Sequence, residues 1–175
     1  MGKGVKSVLL ALCLVGLAGD RTVEGAAEPR SAAGKRVDGG PARAYEAPVL
    51  EEALQNQDFR RVLFTAKRLQ LVLMSIPPGG EIGEEKHERV EQALFCVAGA
   101  GTAVINGVES RFAAGDAVVV PAGTRHNFRN TGKEPLQLYT VYSPPNHIDG
   151  RVHHTAADAK ADRENAEFGH RAEEP

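Results

Sequence analysis

Between residues 59 and 142, apolar and polar positions alternate in short runs punctuated by glycine, proline and asparagine. Phe59–Lys67 reads as a strand. So does Leu69–Ile76, whose near-continuous apolar character predicts burial on both faces. Pro77-Pro78-Gly79-Gly80 ends that run. Ala93–Ala98 and Thr102–Ile105 follow around Gly99 and Gly101. Asn106-Gly107 is a two-residue hairpin signal, because both residues accept positive φ. Val108–Phe112 returns, and Asp116–Val120 is closed by Pro121 with a turn at Gly123. His126–Arg129 and Leu136–Tyr142 complete the series on either side of Asn130-Thr131-Gly132. Short strands at this spacing predict an all-β barrel or sandwich.

The flanks read differently. Lys3 and Lys6 precede the apolar run Val8–Leu17, and Gly25-Ala26-Ala27 offers small residues for cleavage. Residues 1–27 are therefore expected to be an export signal, leaving the mature chain in the periplasm or outside the cell. The run falls short of the ~20 apolar residues of a membrane span. Residues 28–58 read as a linker or N-terminal arm without sustained period, with Leu50–Gln57 as a short helix or irregular arm. Residues 59–155 hold the strand pattern, and residues 156–175 form a charged, alanine-rich tail, helical or disordered.

Composition narrows the chemistry. A chain of 175 residues holds one domain and little more. A net charge of −2 supplies no drive toward nucleic acid or a membrane surface. Aromatic residues make up 5% and tryptophan is absent, so valine, leucine and alanine must fill most of the core. Removal of the signal takes Cys13 with it and leaves Cys96 alone, unable to form an intramolecular disulfide. Cys96 lies in the apolar run 93–97 and reads as a small buried hydrophobe rather than a reactive thiol.

Two stretches carry the candidate chemistry. In Pro77–Gly99, Gly79 is followed by five residues and then Glu85-Lys86-His87; four more lead to Gln92 and six more to Gly99. In Gly115–Asn130, five residues lead to Pro121, one to Gly123, two to His126 and three to Asn130. These spacings resemble the two signature motifs of the cupin superfamily. The strings EIGEEKH, EQALF, VPAGTRHN and LYTVYSPPNH resemble a bacterial branch of single-domain type-2 cupins, the mannose-6-phosphate-isomerase-like group. The likeness runs from about Phe59 to Thr155. It implies a jelly-roll β-barrel, one metal ion held inside it, and a homodimer formed through the outer strands. Two positions depart from the family pattern: Glu85 stands where a histidine is usual, and Gln92 where a glutamate is usual. The implied ligand set is thus Glu85, His87, Gln92 and His126.

The residue types support that set. Residues two apart in a strand face the same side, so Glu85 and His87 can point together into a barrel. Gln92 can project from the next strand and His126 from a strand across the barrel. Two imidazoles, a carboxylate and an amide oxygen suit one divalent ion such as Fe, Mn, Ni or Zn, with positions open for water or substrate. No thiolate joins them, which argues against a structural zinc or iron–sulfur site. In the alternatives, His87 belongs to a solvated loop and Gln92 hydrogen-bonds a substrate instead of ligating. Glu85 is the candidate catalytic residue, as ligand or general base. His147, His153 and His154 offer residue types for a second metal site.

Other motifs fail on context. His87-Glu88-Arg89-Val90-Glu91 lacks the second histidine and the helix of the zinc-protease motif. No serine elbow, phosphate loop or dinucleotide fingerprint is present. Three functions follow: a metal-dependent enzyme on a small polar metabolite (a sugar or small carboxylate, by isomerase, dioxygenase or lyase chemistry), a non-catalytic module binding the same class of molecule, or a structural domain with a vestigial site. Retention of His87 and His126 argues against the last.

Overall fold

Strict alternation builds the central strand. Leu136, Leu138, Thr140 and Tyr142 turn inward and are buried, while Gln137, Tyr139, Val141 and Ser143 between them are partly exposed. The computed structural model describes residues 34–38 and 43–172. The expected signal (residues 1–27), residues 28–33 and 39–42 of the expected linker, and the last three residues of the tail lie outside the described residues.

The elements are β1 (Lys35–Asp38), β2 (Arg43–Glu46), α1 (Val49–Gln55), β3 (Arg60–Thr65), β4 (Gln70–Ile76), β5 (Glu85–Lys86), β6 (Glu91–Ala98), β7 (Ala100–Ile105), β8 (Val108–Ala113), β9 (Ala117–Val120), β10 (Arg125–Arg129), β11 (Leu136–Ser143), β12 (Val152–His153), α2 (Ala156–Ala161) and α3 (Arg163–Ala172). Two antiparallel sheets carry the fold, a six-stranded one in the order β12-β3-β4-β11-β6-β9 and a four-stranded one in the order β5-β10-β7-β8. The non-consecutive order is that of a jelly roll. The inward faces pack Val72, Met74, Ile76, Leu94, Phe112, Phe128, Leu136 and Leu138 into one core. Phe112 and Phe128 meet edge to face at 5.0 Å.

β4 is buried on both faces along nearly its whole length, and α1 lies against β4, β6 and β11. Asn106 and Gly107 both take positive φ, 49° and 81°, in the turn joining β7 to β8. Cys96 is buried, and burial, reinforced by the charge of Asp116, pushes its thiol up to about 11. It is therefore a protonated thiol at neutral pH.

Both flanks hold more structure than their composition suggested. Within the stretch read as a linker, β1 and β2 pair, and Tyr45 stacks on Phe64 of β3 at 5.2 Å. The tail is two helices docked on the barrel. Thr155 and Asp158 form a reciprocal capping box at the start of α2. Asn165 of α3 is buried and accepts from the Ile148 N–H at 3.1 Å. The Tyr45–Phe64 and Asn165–Ile148 contacts join residues far apart in sequence, which is why local periodicity did not reveal how the flanks dock. No helix among the described residues is long and apolar enough to cross a membrane.

Among the described glycines, Gly101 marks the closest approach to a neighbouring backbone, inside the four-stranded sheet. A Cβ there would collide with the carbonyl oxygen of Arg129 on the neighbouring β10. Gly101→Ala is expected to destabilise the barrel by more than about 2 kcal/mol, because the obstacle is backbone and cannot rotate away. Urea unfolding followed by circular dichroism measures this; an unchanged midpoint would show that the two strands can part.

Candidate metal centre

β10 is the element that brings the two motifs together. It pairs antiparallel with β5 so that His126 lies opposite Glu85 and Arg125 opposite Lys86. Behind it, Asn127 faces the other way: its amide donates to Glu81 at 2.8 Å and its oxygen accepts from the Gly83 N–H at 3.0 Å. That clasp holds the loop leading into Glu85. The Gly123 N–H donates to the carbonyl of His87 at 2.6 Å, from a glycine at φ 78°. Asn130 closes the far end, donating to the carbonyls of Ile76 and Glu134 at 2.7 and 2.8 Å.

These restraints converge four side chains. One oxygen of Glu85 lies 3.5 Å from His87 Nε2 and 3.9 Å from His126 Nε2. Gln92 Oε1 lies 3.1 Å from His126 Nε2. Ligand atoms about 2.1 Å from a shared ion stand roughly 3 to 4 Å apart, so the spacing fits a metal. Exposure of the side chains rises from 2% at His126 to 13% at His87 and 26% at Glu85. The cluster therefore opens from the core toward solvent. It opens into a cavity of about 610 Å³ whose walls include Glu85, His87, Arg60 and His147.

Hydrogen bonding sets the donors. His126 Nδ1 lies 3.0 Å from the carbonyl of Thr124, which can only accept. The ring proton is thus on Nδ1, and Nε2 turns a lone pair inward. The Gln92 amide donates to the Thr140 hydroxyl at 3.2 Å, which aims its oxygen at the same point. In this orientation two acceptors face each other, an arrangement that a cation between them reconciles. Glu85 is drawn the opposite way by two influences. Burial pushes its carboxyl up, but the hydrogen bond with His87 and the charge of Arg60 outweigh it. The net result lies below the usual value, so Glu85 is ionised at neutral pH and suited to bind a cation.

The structure brings Glu85, His87, Gln92 and His126 together. It does not bring His147, His153 and His154 together. His147 meets Asn165 at 3.0 Å, His153 meets Asp162 at 3.0 Å, and His154 pairs with Asp58. Residue reading missed Arg60, Thr140, Tyr142 and Asn165. Thr140 and Tyr142 share the inward parity of β11 with Leu136 and Leu138, a signal present in the alternation. Arg60 stands beside Arg61, so the pattern alone could not say which of the two turns inward.

Similarity to known proteins agrees with this arrangement. The cupin domain family matches residues 72–142. A Bacillus subtilis protein, the uncharacterized protein YrkC, is 41% identical over 130 residues, covering 71% of this chain and 69% of its own. A crystal structure from Bacillus halodurans superposes with a TM-score of 0.67 at 39% identity, over 71% of this chain and 98% of that one. An oxalate-binding protein from Thermotoga maritima is 32% identical over 68 residues, 39% of this chain and 56% of its own.

Buried His147 makes folding sensitive to acid. Burial, with the positive charges of Arg60, His87 and His153, holds its imidazole well below its ordinary 6.5. Above that value both folded and unfolded chains carry it neutral. Below it the unfolded chain takes up a proton that the folded chain refuses, so stability falls as the pH drops. The slope from this one group is at most about 1.4 kcal/mol per pH unit. Urea unfolding at several pH values should show a shallower acid slope in His147→Gln than in the parent; parallel slopes would remove His147 from the account.

Proposed function

The chain belongs to the cupin superfamily as a single-domain member, and we propose that it is a metal-dependent enzyme acting on a small polar metabolite. The observation that carries this reading is the convergence of Glu85, His87 and His126, with ligand atoms all within 4.8 Å of one another. Gln92 completes the set as the fourth donor. A divalent ion held there (Fe, Mn, Ni or Zn) would polarise a carbonyl or hydroxyl of the substrate. The chain's own residues do the rest. Thr124 and Thr140 orient His126 and Gln92, and the cavity admits the metabolite beside His87. Glu85 serves better as ligand than as general base, because a carboxyl held low gives up little driving force for taking a proton.

A second reading is a non-catalytic module that binds the same class of molecule. The Thermotoga relative is an oxalate-binding protein, which favours this reading and points to small carboxylates over sugars. Turnover of a panel of sugars and small acids, with metal added back, separates the two. Export and pairing into a homodimer belong to the same proposal. N-terminal sequencing of the native protein should find a start near Ala26 or Glu28, and light scattering should give twice the chain mass.

Metal analysis and thermal unfolding test the centre itself. Saturating divalent metal should raise the melting temperature, by mass action worth about 2.7 kcal/mol at a hundredfold excess over Kd. His87→Ala and His126→Ala should each remove most of that rise. Gln92→Ala should remove less, because a neutral amide oxygen is the weakest of the four donors. Gln92→Glu should strengthen binding by adding a charge. Full retention of the shift in both histidine variants would place the ion elsewhere.

A further inference from the structure

Two residues in the wall of the cavity beside the cluster, Arg60 and His147, carry buried polar atoms without partners, and Tyr142 carries a third just behind that wall. Arg60 is 6% exposed, and a buried guanidinium stays charged and demands acceptors. Its Nε has no hydrogen-bond partner, its Nη2 lies 3.8 Å from Glu85, and its Cζ lies 5.8 Å from the centroid of the Phe59 ring. The Tyr142 hydroxyl is fully buried and likewise lacks a partner. His147 is 4% exposed, and its Nε2 is a third such atom. Which form His147 takes follows from Asn165. The Asn165 oxygen accepts from the Ile148 N–H, so its amide nitrogen faces His147 Nδ1 and donates to it. The ring proton is then on Nε2, making that atom a donor. Tyr142 and His147 touch edge to face at 5.0 Å, and the charge of Arg60 acts on both.

Three buried donors without acceptors in one neighbourhood describe the outline of an anion. We propose that Arg60, Tyr142 and His147 form a carboxylate subsite next to the metal centre, so that the ligand is a small organic acid. Its carboxylate is anchored by these three residues, and a second oxygen is presented to Glu85, His87 and His126. The second attachment rests on the metal-centre reading; the first stands on Arg60, Tyr142 and His147 without it. A carboxylate brings one negative charge into a buried place that already holds Arg60 and the ionised Glu85, whereas a phosphate dianion would bring two. The guanidinium lies only 3.8 Å from Glu85, so the two anchored groups are a few bonds apart and the acid is short.

Isothermal titration of malonate into the full-length chain tests this, once after dialysis against chelator and once loaded with Mn²⁺. Malonate should bind the parent in both states, more tightly with metal, and malonamide, which lacks the charge, should not. Arg60→Gln should weaken malonate at least about tenfold in both states. Its Mn²⁺ affinity should hold or rise, because a repelling cation has left. Tyr142→Phe removes only an unpartnered hydroxyl and keeps the ring, so it folds even if the Arg60 variant does not; it should weaken malonate about three- to tenfold. No malonate binding by the parent, affinity unchanged in Tyr142→Phe and in any folded Arg60→Gln, or inorganic phosphate bound as tightly as malonate would each overturn the subsite. Loss of Mn²⁺ binding with Arg60-dependent malonate binding retained would instead overturn the metal reading and leave the subsite standing.

Discussion

The antiparallel register that sets His126 opposite Glu85 is the constraint on which the site depends. Forty residues of chain separate these two, and each alone is an ordinary polar side chain. Pairing β10 with β5 on one edge and β7 on the other places His126 over the barrel interior, one step above Phe128. A slip of one residue would turn Asn127 inward and His126 out, because side chains alternate along a strand. Asn127 opposes that slip from the outer face by holding Glu81 and Gly83. The same strand thus carries the ligand on one side and the clasp that positions its neighbours on the other.

The barrel is polarised along its axis. One end is dry and close packed, with Ile76, Phe112, Phe128, Leu136 and Leu138 all fully buried. The other end buries Arg60, Gln92, His126, Tyr142 and His147, whose polar groups must find partners or cost free energy. Thr140 shows how the change is made, taking an inward position next to Leu138 and spending its hydroxyl on Gln92. The apolar end supplies stability, and that surplus allows an arginine and several donors to remain incompletely satisfied at the other. Gln92 adds a degree of freedom that a glutamate would lack: turned over, its amide could donate to His126, and a bound ion selects the orientation with oxygen inward.

The C-terminal helices finish the cavity. Asn165 supports His147 from behind, Asp162 binds His153 and Arg151, and Gly169 lets α3 approach Asn146 closely. The chain's last elements are thereby coupled to the wall of the site, although they contribute none of the candidate metal ligands.

Much of this was legible in the chain itself. Alternation with glycine, proline and asparagine at the breaks defined the strands, since a two-residue period is a local property of the backbone. The spacings around Glu85, His87, Gln92 and His126 resemble the two cupin motifs, and that resemblance implied the cluster; the pairing of β10 with β5 is what joins its two halves. The Asn106-Gly107 turn followed from backbone sterics alone. Tertiary structure decided the rest. Arg60 and Arg61 are identical as letters, and only the pairing of β3 with β4 and β12 turns Arg60 inward. His147, His153 and His154 look like a cluster in sequence, yet the fold sends each to a different partner. The tail read as helical or disordered, and only contacts such as that of Asn165 with His147 dock its helices on the barrel. Each of these depends on which distant groups share a buried space, and local periodicity carries no information about that.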